Sequence, residues 1–347
     1  MKINKSKILF LLSEIHNYHL SLIEELVFSY EYDVLVIYRD KKKQTPYKPT
    51  YIRGVKFMGK SAFKTYGEFK NFILKVNPIL VRTSGWIDKD YLKISKTLKK
   101  KGVVSVVVSD TQWKNSFRQT LGALVYGKYI ISCFNKMMVA GPYQYEYARK
   151  IGFTKKNILF SNLSANTNIF DGDLINQNFE KKFVYVGNLE KIKGTHLLLE
   201  AWNLLQEKKS WKLELIGNGS YYKKSVSSDI IYRGFLSSDE IKISMRNSAF
   251  FILPSVHEQW GVVMHEATLS GIPILCSDEV GSIPLFMING FNGFTFESNS
   301  VKDLCESLDK IINLSQNDLL RMRENSLSLS KRITTPISAA SLLSAIK

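Results

Sequence analysis

Ala249-Phe250-Phe251-Ile252-Leu253-Pro254-Ser255-Val256-His257-Glu258-Gln259-Trp260-Gly261-Val262-Val263-Met264-His265-Glu266-Ala267 decides the fold. Ala249–Leu253 reads as a short buried strand, the residues after Pro254 as a loop, and the periodic run Val262–Ser270 as a helix beginning near Gly261. Working outward, strands are expected at Lys182–Val186, Lys212–Ile216, Ile230–Arg233, Ile272–Cys276 and Gly293–Phe296, with a helix at Thr195–Gln206. The first half repeats the alternation: strands at Lys7–Leu12, Asp33–Tyr38, Ile79–Arg82, Val103–Val108 and Lys136–Ala140, and helices at His19–Ser29 and Asp90–Lys101. Gly102 follows a basic last turn and is expected to stop the second of these helices. Strand and helix in alternation imply an α/β protein with parallel, doubly wound sheets. At 347 residues the chain is too long for one ordinary core. We therefore expect two doubly wound domains facing a cleft, 1–170 and 171–335, joined through the polar stretch Ala165–Glu180. The helix of 336–347 is a candidate to pack back on the first.

Composition narrows the class. An apolar content of 45% suffices for two cores and excludes disorder. No apolar run approaches the ~20 residues that span a bilayer. The run Ile8–Leu12 behind Met1-Lys2-Ile3-Asn4-Lys5 is shorter than a secretory core and reads as a first strand. Cys133, Cys276 and Cys305 lack the spacing of a disulfide framework or a zinc site, so a reducing, cytoplasmic setting is expected. The net charge of +17 is unevenly held: residues 1–170 carry 29 basic and 11 acidic side chains, residues 171–347 carry 19 and 20. Such asymmetry points to an anionic surface as partner of the first half, membrane or nucleic acid. Attachment would be electrostatic, peripheral on the inner face of the plasma membrane, and would weaken as salt rises.

In sheets of this kind ligands bind beyond the carboxyl ends of the strands. There the second half places Gly187-Asn188-Leu189-Glu190-Lys191-Ile192-Lys193-Gly194 before a helix, a turn, a cation and free helix N–H groups that suit a phosphate. Gly217-Asn218-Gly219-Ser220 is a further tight turn. Gly261 allows close backbone approach. Glu258 and Glu266, eight apart around the helix start, can each accept paired hydroxyl hydrogen bonds, one from a sugar and one from a ribose. The alternative for these two is a capping carboxylate and an ordinary helix-surface glutamate.

Most clearly across residues 182–312, and more weakly from Met137 to Phe170, the chain resembles the retaining family 4 glycosyltransferases, which have two Rossmann-like domains in the GT-B arrangement. The resemblance is carried by Tyr185-Val186-Gly187 with Lys193-Gly194, Ile216-Gly217-Asn218-Gly219, Tyr232-Arg233-Gly234-Phe235-Leu236 and Leu253-Pro254-Ser255. It continues through Glu258, Glu266 and Ala267, Gly271-Ile272-Pro273-Ile274, Ser277-Asp278-Glu279-Val280-Gly281 and Asn289-Gly290-Phe291-Asn292-Gly293. It implies that Lys193 holds the diphosphate of a UDP- or GDP-sugar, Glu266 the ribose, and Glu258 the sugar, with backbone N–H groups from Gly261, Val262 and Val263. Retention also comes from the resemblance alone. Two positions depart from the family: Asn188 stands where it usually has Arg, and Leu285 where it often has Glu. Asn cannot replace a bidentate guanidinium, so either Lys191 supplies that charge or the donor is held more weakly.

In the first half the strand ends offer His16, Asn17 and His19, then Arg82, Thr83 and Ser84, then Ser109, Asp110 and Thr111. His16 is expected to reach the reaction and Asp110 to orient the acceptor hydroxyl. Arg118–Asn135 reads as a core helix, with a membrane-facing amphipathic helix as the alternative. The expectation is a glycosyltransferase acting without metal or cofactor, since no Asp-x-Asp in a metal-binding context is present, on a glycan or lipid-linked glycan of a bacterial surface polysaccharide. A nucleotide-sugar epimerase or hydrolase is the nearest alternative. A nucleic-acid-binding protein using the basic half is a further one, without any recognised binding signature.

Overall fold

The computed structural model describes residues 6–40, 51–170, 176–223 and 227–347. The N-terminal Met1–Lys5 and the Gly172 segment of the expected linker lie outside them. The chain divides into two compact units, Met1–Ser164 with Ile333–Lys347, and Ala165–Arg332.

In the first unit β1 (Lys7–Leu12), α1 (Asn17–Phe28), β2 (Asp33–Tyr38), β3 (Val55–Gly59), α2 (Tyr66–Val76), β4 (Leu80–Ser84), α3 (Lys89–Lys100) and β5 (Val104–Ser109) follow in order. They are succeeded by α4 (Phe117–Cys133), β6 (Lys136–Val139), α5 (Pro142–Ile151) and β7 (Ile158–Leu159). All pairings are parallel, in the order β3-β2-β1-β4-β5-β6-β7. The central strands are buried on both faces, which is why they read as unbroken apolar runs. By contrast β3, at the sheet edge, is half-exposed and has no such run to reveal it. Asp88 caps α3 by accepting from the N–H groups of Asp90 and Tyr91, and Gly102 lies just past its end at φ +83°, as expected.

The second unit runs β8 (Glu180–Val186), α6 (Thr195–Leu204), β9 (Lys212–Ile216), β10 (Ile230–Gly234), α7 (Ser238–Arg246), β11 (Ser248–Leu253), α8 (Val262–Leu269), β12 (Ile274–Ser277), α9 (Ile283–Phe286), β13 (Gly293–Phe296), α10 (Val301–Ile312) and α11 (Gln316–Ser330). Its sheet is again parallel, β10-β9-β8-β11-β12-β13. An aromatic cluster centres the core: the Phe183 ring lies 4.6 Å from Trp211 and 6.0 Å, edge-on, from Trp202.

The boundary at Ser164 falls six residues before the expected one at 170. The start of the presumed linker is core: Ala165 and Phe170 are 0% and 1% exposed. A stretch rich in Asn lacks periodicity whether it lies in solvent or is pinned by single side chains, and here His265 pins it. His265 Nδ1 accepts from the Ala165 N–H at 2.9 Å, Nε2 donates to the Ser330 carbonyl at 3.0 Å, and the ring stacks 4.4 Å from Phe286. One buried imidazole thus ties together the first residue of this unit and nearly its last. The helix expected at 336–347 begins at Thr335 as α12 (Thr335–Leu343) and belongs to the first unit. Ala339, Leu342 and Leu343 join the core around Leu22 and Leu26, and Ser338 Oγ donates to the Ser161 carbonyl at 2.6 Å.

Candidate functional site

In each sheet the strand order reverses direction at the first strand of the unit, between β1 and β4 in one and between β8 and β11 in the other. Loops leaving such a pair diverge to opposite faces and leave a crevice at the carboxyl ends.

In the second unit the loops leaving β8 and β11 meet there. Lys193 Nζ lies 2.5 Å from Glu258 Oε2, both side chains largely covered, and Ser255 Oγ is 3.4 Å from the same oxygen. The loops are locked by backbone bonds: Val256 N–H to the Ile192 carbonyl at 3.0 Å, Gly281 N–H to the Glu258 carbonyl at 2.9 Å, and Ser282 N–H to the Trp260 carbonyl at 3.1 Å. Trp260, 2% exposed, anchors the loop against Phe286. Gly194 makes the close approach possible: it sits at φ +70°, and a Cβ there would lie 1.7 Å from the Pro254 carbonyl oxygen. Gly217 is packed as tightly, a Cβ on it falling 1.9 Å from the Gly187 carbonyl oxygen. Asn188 contributes its carbonyl, which accepts from Tyr185 Oη at 2.8 Å.

Helix α8 opens on Gly261, with Met264 N–H bonded back to the Gly261 carbonyl at 3.0 Å. The N–H groups of Val262 and Val263 belong to the first turn, which has no intrahelical acceptors. Glu266 lies one turn further on, partly exposed. Among the described residues its carboxylate makes no hydrogen bond or ion pair. Desolvation raises its pKa to about 7. Its neighbour His265 faces the opposite way, and burial lowers it to about 4, so that it stays neutral.

The crevice of the first unit is different. A cavity of about 480 Å³ is lined by Ser13, Glu14, His16, Tyr18 and His19, by Ser84 to Ile87, by Ser109, Asp110 and Thr111, and by Tyr147. His16 and Asp110 are thus brought together, as are His19 and Ser84. Arg82 and Thr83 are not at the strand-end surface where they were expected. Both are buried (1% and 0% exposed), Thr83 Oγ lying 3.1 Å from Ser95 Oγ and Arg82 Nη2 donating to Asn162 Oδ1 at 2.8 Å. Strand residues alternate between faces, and Arg82 points into the sheet's packing layer, where burial lowers its pKa to about 10. His16 N–H donates to His19 Nδ1 at 3.3 Å, which fixes the His19 tautomer with its proton on Nε2. Burial lowers the pKa of His16, a shift partly opposed by Glu14, 3.9 Å away. Sequence reasoning missed Glu14, Tyr18, Trp86 and Tyr147. Trp86 and Tyr147 stack at 6.1 Å as a wall of the cavity, and aromatics far apart in the chain, one in the β4–α3 loop and one in α5, carry no spacing that could reveal this.

Among the described residues no group of three or more His, Cys, Asp or Glu side chains is placed to hold a metal ion, and no helix is long and apolar enough to cross a membrane.

Two parallel-sheet α/β units, each with a crevice at its strand-order reversal, define the class of protein seen in GT-B glycosyltransferases. Residues 169–328 match the family model of "Glycosyl transferases group 1", which covers nearly the whole second unit. An uncharacterised glycosyltransferase of Methanocaldococcus jannaschii is 31% identical over 160 residues, 44% of this chain and 43% of that protein. The capsular polysaccharide biosynthesis glycosyltransferase CapM of Staphylococcus aureus is 27% identical over 150 residues, 40% of this chain and 38% of its own. The chain therefore matches less than half the length of either curated relative. In three dimensions it resembles Anabaena HepE in complex with UDP, with a TM-score of 0.74 at 13% identity over 97% of this chain and 98% of that one.

Proposed function

We propose that the chain is a retaining, metal-independent glycosyltransferase of family 4 type that moves a sugar from a UDP- or GDP-sugar to a glycan, lipid-linked, in bacterial surface polysaccharide synthesis. The observation that carries this reading is the Lys193–Glu258 pair in the β8/β11 crevice, flanked by the open first turn of α8. The family match to the same residues supports it, as do the UDP held by HepE and the capsular role in CapM's name.

In this reading the donor diphosphate takes over Lys193 from Glu258. The first-turn N–H groups of α8 donate to its anionic oxygens, and Glu258, released, meets sugar hydroxyls. Glu266 receives the ribose diol when ionised. As the glycosidic bond breaks, charge builds on the departing diphosphate, and Lys193 with the helix N-termini stabilises it without a metal. Asn188 brings no charge, so Lys193 and Lys191 are the cations of this loop. In the first unit Asp110 and His16 orient the acceptor hydroxyl.

The test is a melting-temperature screen with UDP, GDP and other nucleotides in the presence of a chelator, followed by transfer assays with sugars of the base that stabilises. A ligand that binds the folded state raises the melting point. No shift with any nucleotide diphosphate overturns the reading, and rapid consumption of the donor without acceptor would favour the hydrolase or epimerase alternative.

A further inference from the structure

Helix α4 was expected to be core, and in its outward half it is not. Gly127, Ile130 and Cys133 are buried, but Phe117 is 83% exposed, Leu121 50%, Leu124 74% and Val125 60%. Those four recur at i, i+4, i+7 and i+8, so they form one stripe along the helix, and Lys128 closes it. Tyr129 is exposed beside it. An apolar stripe of this length, left open on an ordered helix, marks an interaction surface.

We propose that α4 docks the first unit onto a lipid bilayer carrying anionic headgroups. The helix is already formed before any such contact. Ser116 Oγ accepts from the Gln119 N–H at 3.2 Å at one end, and Lys99 Nζ donates to the Ile131 and Phe134 carbonyls at 2.6 and 2.7 Å at the other. Charge selects the occupant. Helices α3, α4 and α5, which pack side by side, carry nine Lys or Arg residues against Asp90 and Glu146. Lys96 lies over the Tyr129 ring at 5.1 Å and Lys150 over the Trp113 ring at 5.7 Å, so cations rim the stripe. A second copy seated on the same face would bring its own Lys96, Lys128 and Lys150 against these. Anionic headgroups answer the rim, the acyl region answers the stripe, and Tyr129 suits the boundary between them.

This inference does not rest on the reading of the second unit, and its test separates the two. The full chain is floated with vesicles of phosphatidylcholine alone and of phosphatidylcholine mixed with phosphatidylglycerol. Binding is expected only to the mixed vesicles, falling as salt is raised. Leu121→Ser/Leu124→Ser is expected to lower partitioning about ten-fold or more, since two exposed leucines lose their apolar destination. Lys96→Glu/Lys128→Glu should lower it too, with melting temperatures of both variants matching the parent. Equal binding to both vesicle types, or a leucine variant that floats like the parent, overturns the proposal. So does a lipid-free dimer that the leucine substitutions abolish. Sugar transfer to a water-soluble acceptor should be unchanged in the leucine variant, so absence of transfer in every protein strikes the nucleotide-sugar reading and leaves the flotation result standing.

Discussion

The two units share a strand order and differ in what they place at its reversal. Between β1 and β4 lies an open cavity walled by hydroxyls, carboxylates, two imidazoles and stacked aromatics. Between β8 and β11 the backbone closes up through Gly194, and the Lys193–Glu258 ion pair bridges the loops. One topology thus provides two locations, and in the proposed reading the loop residues suit one to polyhydroxyl groups and the other to an anion. Fold decides where a ligand can lie, and side chains decide what it can be.

The comparison breaks most easily at the ion pair. Lys193→Ala and Glu258→Gln should each lower sugar transfer by roughly 10²–10³-fold without lowering the melting temperature. A variant that turns over like the parent would remove that residue from the site. The double variant should lose less than the sum, because the two act on one reaction centre.

The next largest effect concerns stability and touches one unit only. His265→Ala should destabilise the second unit by about 3–4 kcal/mol, through a cavity and two unsatisfied backbone groups. The parent should also lose stability in acid. A buried histidine whose folded pKa is lowered contributes fully above its unfolded value of 6.5, and that contribution drains away as pH falls through about 4. By denaturant titration the loss between those values should be about 3 kcal/mol.

Smaller effects sharpen the division of labour. His16→Ala and Asp110→Asn should raise the acceptor KM about ten-fold, as for loss of one or two hydrogen bonds, while leaving nucleotide affinity unaltered in a binding titration. A change in nucleotide Kd with either would erase the distinction between the crevices. Finally, Glu266 has a folded pKa raised to about 7. Its contribution to folding is most favourable below the unfolded value and declines as pH rises through 7. A ribose diol, by contrast, is better received by the ionised form, so nucleotide affinity should strengthen several-fold over the same interval. Glu266→Gln should flatten that dependence.

Much of this was legible in the residues. Strands β1, β2, β9 and β13 lie where apolar runs placed them, because strands buried on both faces admit little else. The edge strand β3 and helix α2 escaped, since half-exposed elements tolerate polar residues. That Glu258, Gly261 and Lys193 would lie at strand ends was legible because a loop running from a strand to a helix has a local grammar of glycine, charge and helix start. Glu14, Tyr18, Trp86 and Tyr147 were not, since the β1–α1 segment, the β4–α3 loop and α5 converge only when the sheet assembles.

What the sequence alone determined, then, is the succession of strands and helices and the local chemistry of each loop, because both depend on residues within a few positions of one another. Tertiary structure alone decided that the chain crosses at Ser164, where a histidine a hundred residues away holds the next backbone N–H. It also decided that α4 turns its apolar stripe outward. Burial is a property of what packs against a segment, and a segment's own periodicity is the same whether a core or a solvent lies opposite.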